Sequence, residues 1–166
     1  MKEKALYVLA GYDSKTEEHL SSIQRKLYER GFTGTHTKNI PQHITLGSFP
    51  IDMEDELVRL IRRQSTQLNS FEVTFNHIGV FGGGKVLFIA PDCSKVQLNL
   101  KEVFGTNYGW TPHTTMMIDE PDVILKSLPI VMNHFASFAG KITTLYLYEF
   151  FPARHILTVP LIGTSI

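Results

Sequence analysis

The spacing of apolar positions changes several times along the chain, and each change marks an expected element. Residues 4 to 11 form an apolar run too short for a helix, which reads as a buried strand. From 15 to 30 the period lengthens, with Leu20, Ile23 and Leu27 recurring on one face, Asp13 or Ser14 as the cap and Gly31 as the stop. Strand signals cover 33 to 38 and 43 to 48. Asp52 then reads as the cap of a second helix bearing Met53, Leu57, Leu60 and Ile61. The pattern restarts at Phe71-Glu72-Val73-Thr74-Phe75 and alternates through Ile78 and Val80 as a long strand. Gly82-Gly83-Gly84 turns the chain back into Val86-Leu87-Phe88-Ile89. A helix over roughly 93 to 104, a strand from His113 to Ile118 and a helix from about 121 to 134 follow. Lys141 to Glu149 and Arg154 to Val159 read as the final strands, joined around Pro152. No long linker or low-complexity tract intervenes, so residues 1–166 are expected to form one bilobal α+β domain with a cleft between its lobes.

Two segments in comparable places of the two halves carry the candidate chemistry: Pro41-Gln42-His43-Ile44-Thr45-Leu46 and Pro112-His113-Thr114-Thr115-Met116. A strand sends residues i and i+2 to one face, so each His-x-Thr presents an imidazole beside a hydroxyl while its middle residue points away. One such triplet is a common accident of a polar strand. Two, each after a proline and each opening a strand, point to a shared site in which the imidazoles divide proton acceptance and donation and the hydroxyls hold phosphate oxygens. His19, His36, His77, His134 and His155 lack a recurring partner and read as surface or core polar residues. The sequence has no His-Glu-x-x-His helix and no paired cysteines, and no metal or other cofactor is expected. The glycine triplet lacks the Gly-Lys-Ser/Thr ending of a phosphate loop and reads as a hairpin turn. Cys93 has no nearby histidine to mark it as a nucleophile and reads as a buried or helix-start thiol.

Composition narrows the partners. With 43% hydrophobic residues in 166, the chain can bury a substantial core without disulfides. Sixteen Lys and Arg balance sixteen Asp and Glu, so there is no average pull toward long nucleic acid, and small nucleotides or RNA termini suit the balance better. A single cysteine fits a reducing, cytoplasmic setting, and no apolar stretch is long enough for a membrane span. A monomer is expected. Around the cleft mouth, Tyr7 faces either site or core, Lys85, Lys141 and Arg154 are basic residues near predicted sheet ends that read as solvated charges or as contacts to a second phosphate, and Trp110 borders the cleft or braces its loop.

The paired motifs resemble those of the 2H phosphoesterase superfamily, and nearly the whole chain fits its 2′-5′ RNA ligase-like (cyclic phosphodiesterase) group. His43-Ile44-Thr45-Leu46 is similar to the family's His-x-Thr-Leu, Met116 stands where the second motif usually has Leu, and Gly79-Val80-Phe81 with Val86-Leu87-Phe88-Ile89 looks like the strand pair before that motif. The resemblance implies two pseudo-symmetric lobes with antiparallel sheets lining a central cleft and helices outside, each lobe giving one His and one Thr. It also implies His43, Thr45, His113 and Thr115 as catalytic residues. The expected activity is metal-independent hydrolysis of a 2′,3′-cyclic phosphate or 2′-5′ linkage on a nucleotide or RNA end, with 2′-5′ RNA ligation as its reversal. A non-catalytic nucleotide- or RNA-end-binding protein using the same clamp is the alternative.

Overall fold

The computed structural model describes residues 3–92, 100, 104 and 110–164. Seven strands, β1 (Ala5–Tyr12), β2 (His43–Phe49), β3 (Phe71–Val80), β4 (Val86–Pro91), β5 (Thr114–Ile118), β6 (Phe138–Phe150) and β7 (Arg154–Pro160), form one antiparallel sheet. Its order is β2-β1-β6-β3-β4-β5, with β7 on β6. The order is a palindrome about the β6–β3 contact, so β2-β1-β6 and β5-β4-β3 are matching halves. In the first half Leu9 pairs with Thr45 on one side and Tyr146 on the other; in the second, Phe88 pairs with Thr115 and Gly79. The outer strands β2 and β5 curl back into contact with each other, which brings the two His-x-Thr segments together.

Among the described residues three helices, α1 (Ser14–Glu29), α2 (Glu54–Ser65) and α3 (Pro121–His134), accompany the sheet. The α1 helix starts as its sequence requires: Asp13 accepts a hydrogen bond from Thr16 N at 3.0 Å, and Leu20, Ile23 and Leu27 are buried. Pro121 opens α3 at a position whose missing N–H costs nothing. Alternation along β1 sends Leu6, Val8 and Ala10 into the main core, while Leu9 packs on the opposite face with Tyr148 and Phe150.

Two sequence expectations are corrected. Residues 33 to 38 are not a strand, because Gly34 takes φ +64° and Asn39 φ +59°, and Thr35 N–H and Oγ1 both donate to the Ile118 carbonyl instead of to a ladder partner. Asp52 does not cap α2: it lies inside a 3₁₀ turn, Ile51–Met53, and the helix begins at Glu54 with no side-chain cap. The helix expected over 93 to 104, including Cys93, lies outside the described residues apart from Leu100 and Phe104, both buried. No helix among the described residues is long and apolar enough to cross a membrane.

Candidate active site

Both motif strands are built alike. Register slips by one residue between Val8 and Leu9, leaving Leu46 as the extra residue of β2, and between Leu87 and Phe88, leaving Met116 as the extra residue of β5. Each bulge therefore falls immediately after the motif threonine, where it bends the strand and re-aims its side chains. Ile44 and Thr114, the middle residues, point into the core at 0% and 1% exposure, and the Thr114 hydroxyl is satisfied there by Tyr12 Oη at 2.6 Å. The extra residues Leu46 and Met116 are fully buried.

A bulge frees a backbone carbonyl, and here the freed carbonyls hold the halves together. Trp110 Nε1–H, from just before the second motif, donates to the Thr45 carbonyl at 3.1 Å. Gln24 Nε2–H, from α1, donates to the Met116 carbonyl at 2.9 Å, and Gln24 Oε1 accepts from Gln42 Nε2 at 2.8 Å. Glu17 accepts from Gln42 N at 3.0 Å. A continuous polar chain thus runs from the residue before His43 to the residue after Thr115.

The two imidazoles are oriented identically. His43 Nδ1–H donates to the Pro41 carbonyl at 2.7 Å and His113 Nδ1–H to the Thr111 carbonyl at 2.8 Å. A carbonyl can only accept, so Nδ1 carries the hydrogen and Nε2 remains for chemistry. Neither Nε2, and neither the Thr45 nor the Thr115 hydroxyl, has a hydrogen-bond partner among the described residues. Burial pushes the pKa of both histidines below the usual value, and a proton on His113 further disfavours one on His43. His113 packs edge-on to Phe81, ring centroids 4.6 Å apart, and lies 5.4 Å from Phe88. Phe88 in turn covers Gly79, where a Cβ would stand 2.2 Å from its ring.

A cavity of about 400 Å³ opens at this point. His43, Thr45, Thr114 and Thr115 line it together with the aromatic Tyr7, Phe150 and Phe151 and with Tyr28, His36 and Lys38. Tyr7 meets Phe150 edge-on at 5.2 Å. Tyr7 thus lies in the cleft, Trp110 braces the loop onto β2, and His113 stands beside the cavity rather than among its lining side chains. The basic residues singled out in the sequence are placed elsewhere. Lys85 pairs with Glu120 at 3.0 Å, and Arg154 is clamped by Glu54 and Glu149, each at 2.6 Å; neither lines the cavity, and nor does Lys141. His36, read as an isolated polar residue, does line it, as do Gln24, Tyr28 and Lys38. No local pattern marks these four, because α1 and an irregular connection bring them in by tertiary packing. Among the described residues no three His, Cys, Asp or Glu side chains gather as metal ligands.

Comparison with known proteins agrees with this fold. The Escherichia coli protein LigT in its apo form superimposes with a TM-score of 0.58 at 18% identity, covering 95% of this chain and 97% of that one. LigT complexed with 3′-AMP gives 0.59 at 17% identity over 96% and 99%. TT0787 of Thermus thermophilus gives 0.58 at 15% identity over 97% and 100%. At these identities the likeness establishes the fold. A search of curated proteins finds no match. The family model of the 2′-5′ RNA ligase superfamily matches residues 12–150, a span that takes in both His-x-Thr segments, and the chain belongs to that superfamily of 2H phosphoesterases.

Proposed function

We propose that this protein opens 2′,3′-cyclic phosphates on nucleotides or RNA ends, without a metal ion, and that 2′-5′ ligation is the same ring opening with a ribose 5′-hydroxyl attacking phosphorus in place of water and the 3′-oxygen leaving. The observation that carries the reading is the matched pair of unpartnered Nε2 atoms, each fixed by its own Nδ1–H to carbonyl bond and each beside a threonine hydroxyl that is also unpartnered among the described residues. One neutral imidazole takes a proton from water as the water oxygen bonds to phosphorus. The other, as imidazolium, gives its Nε2 proton to the ribose oxygen as the phosphorus–oxygen bond opposite breaks, leaving a phosphate monoester. The hydroxyls of Thr45 and Thr115 donate to the non-bridging oxygens, whose charge grows in the transition state.

The ligand class is supported by size and by relatives. A cavity of about 400 Å³ lined in part by aromatic side chains suits a nucleotide. LigT of Escherichia coli has been solved complexed with phosphate and with 3′-AMP. The test is phosphorus NMR of adenosine 2′,3′-cyclic phosphate incubated with the protein and a chelator. The cyclic resonance should give way to a monoester resonance at a rate the chelator leaves unchanged, and Thr45→Val and Thr115→Val should each slow it. Binding without any monoester would make the protein a nucleotide-binding module, and loss of turnover in chelator would overturn the metal-free step.

A further inference from the structure

The cavity lining also carries hydrogen-bond donors that this chemistry does not use. Tyr28 Oη lies 2.7 Å from His36 Nε2, Lys38 Nζ 3.2 Å and Gln24 Nε2 3.3 Å. Burial, and then the Lys38 charge, push His36 down to about 4, so at neutral pH its ring is uncharged and offers one in-plane lone pair, with three groups near Nε2 and Lys38 Nζ also 3.5 Å from Nδ1. Gln24 has another acceptor in the Met116 carbonyl, leaving the phenol and the ammonium to compete for that lone pair. Among the described residues, Lys38 is the one charged side chain that lines the cavity. Its other partners are His36 Nδ1 at 3.5 Å, the backbone carbonyls of Thr33 and Gly34, and the Tyr28 ring, whose centroid lies 5.0 Å from the ammonium; no ion pair among the described residues includes it, although the Asp119 charge reaches it from a distance. Thr37 and Asn39, next to Lys38 in the chain, also line the cavity, and neither side chain has a hydrogen-bond partner among the described residues.

We propose that Lys38, with Tyr28, Thr37 and Asn39, forms a second anion subsite that receives a second phosphate of the substrate. The protein is thereby selective for nucleotides phosphorylated at two positions, such as a 5′-phosphorylated or internucleotide-linked cyclic phosphate, over mononucleosides carrying the cyclic group alone. An ammonium held only by neutral groups, the carbonyls and the His36 and Tyr28 rings, gains an opposite charge when the phosphate arrives, and the phenol, hydroxyl and amide donors satisfy its oxygens. This rests on the proposed function for the group at His43. The binding test stands apart from turnover.

Titration calorimetry with adenosine 3′-monophosphate and adenosine 3′,5′-bisphosphate reads the subsite directly. The wild-type protein should bind the bisphosphate about tenfold tighter, as expected for one partly exposed charge-assisted contact. Lys38→Gln should bring the two dissociation constants together, Lys38→Arg should keep them apart, and Thr45→Val should weaken both ligands by a similar factor. Equal affinities in the wild type, no binding of the bisphosphate, or a preference that survives Lys38→Gln would overturn the subsite. If the preference depends on Lys38 while adenosine 2′,3′-cyclic phosphate is never opened, the subsite stands and the catalytic reading fails.

Discussion

Thr114 shows how one residue ties site to core. It is the middle residue of the second motif, buried among apolar groups, and its hydroxyl is satisfied by Tyr12 from the neighbouring half. Tyr12→Phe removes that partner and leaves a buried hydroxyl unpaired, at a cost of about 1–3 kcal/mol. A urea titration should show the lower midpoint, and an unchanged one would mean that Thr114 finds another partner. The histidines beside it set the pH dependence. Burial lowers both pKa values in the free protein, so kcat/KM should peak below about pH 6.5, the unperturbed value, and kcat at higher pH because a bound phosphate anion favours the imidazolium. A flat profile between about pH 5 and 9, with chemistry rate-limiting, would contradict paired acid and base. The motif residues were legible because strand alternation alone puts i and i+2 together. His36 was not, since its partners Gln24 and Tyr28 belong to α1 and meet it only through tertiary packing.

At the scale of the element, the two bulges explain why a short motif recurs with a buried apolar residue after its threonine. Leu46 and Met116 are the extra residues, and the carbonyls at these bulges take bonds from Trp110 and Gln24. Periodicity located both strands, yet a one-residue slip of register leaves no mark on periodicity. The misread stretch 33 to 38 has the opposite cause: its alternating threonines and Phe32 mimic a strand, while the left-handed Gly34 and Asn39 forbid one. Glycine matters differently at Gly79 in β3. The Phe88 ring occupies the space of its missing Cβ and is wedged by Phe81 and His113. Gly79→Ala should therefore cost about 1–3 kcal/mol and also slow turnover by displacing His113, whereas full stability together with full activity would show that the ring has room to move.

At the scale of the molecule, the palindromic strand order makes the site a product of two similar halves, joined through β6–β3 on one side and through the Glu17–Gln42–Gln24–Met116 chain across the cleft. The alternation of elements made the two halves legible in the sequence; their closure into one sheet with touching edges was not, because it depends on twist and long-range pairing. Three half-buried histidines give this architecture an acid limit. His36, His43 and His113 all have lowered pKa values, so between about pH 6.5 and their folded values the unfolded chain binds more protons than the native one. Their stability contribution is intact above about pH 6.5 and is lost as pH falls, down to about 4 for His36, on the order of 2 kcal/mol for that residue after allowing for its partial exposure. Glu17, raised by burial, opposes this as a single group. Urea midpoints at about pH 7 and pH 4.5 should differ accordingly, and equal midpoints would contradict the half-buried, neutral state of these rings.

The central claim is that His43 and His113, one from each half, act on one phosphorus. It is tested most directly by the turnover rate of a 2′,3′-cyclic nucleotide with the wild-type protein, His43→Ala, His113→Ala and the double variant, each first shown to unfold cooperatively. Each single replacement should lower kcat by about 10²–10⁴, and the double variant should fall little further than the worse single one, because the two groups work as a unit. A folded single variant that retains the wild-type rate would contradict the claim.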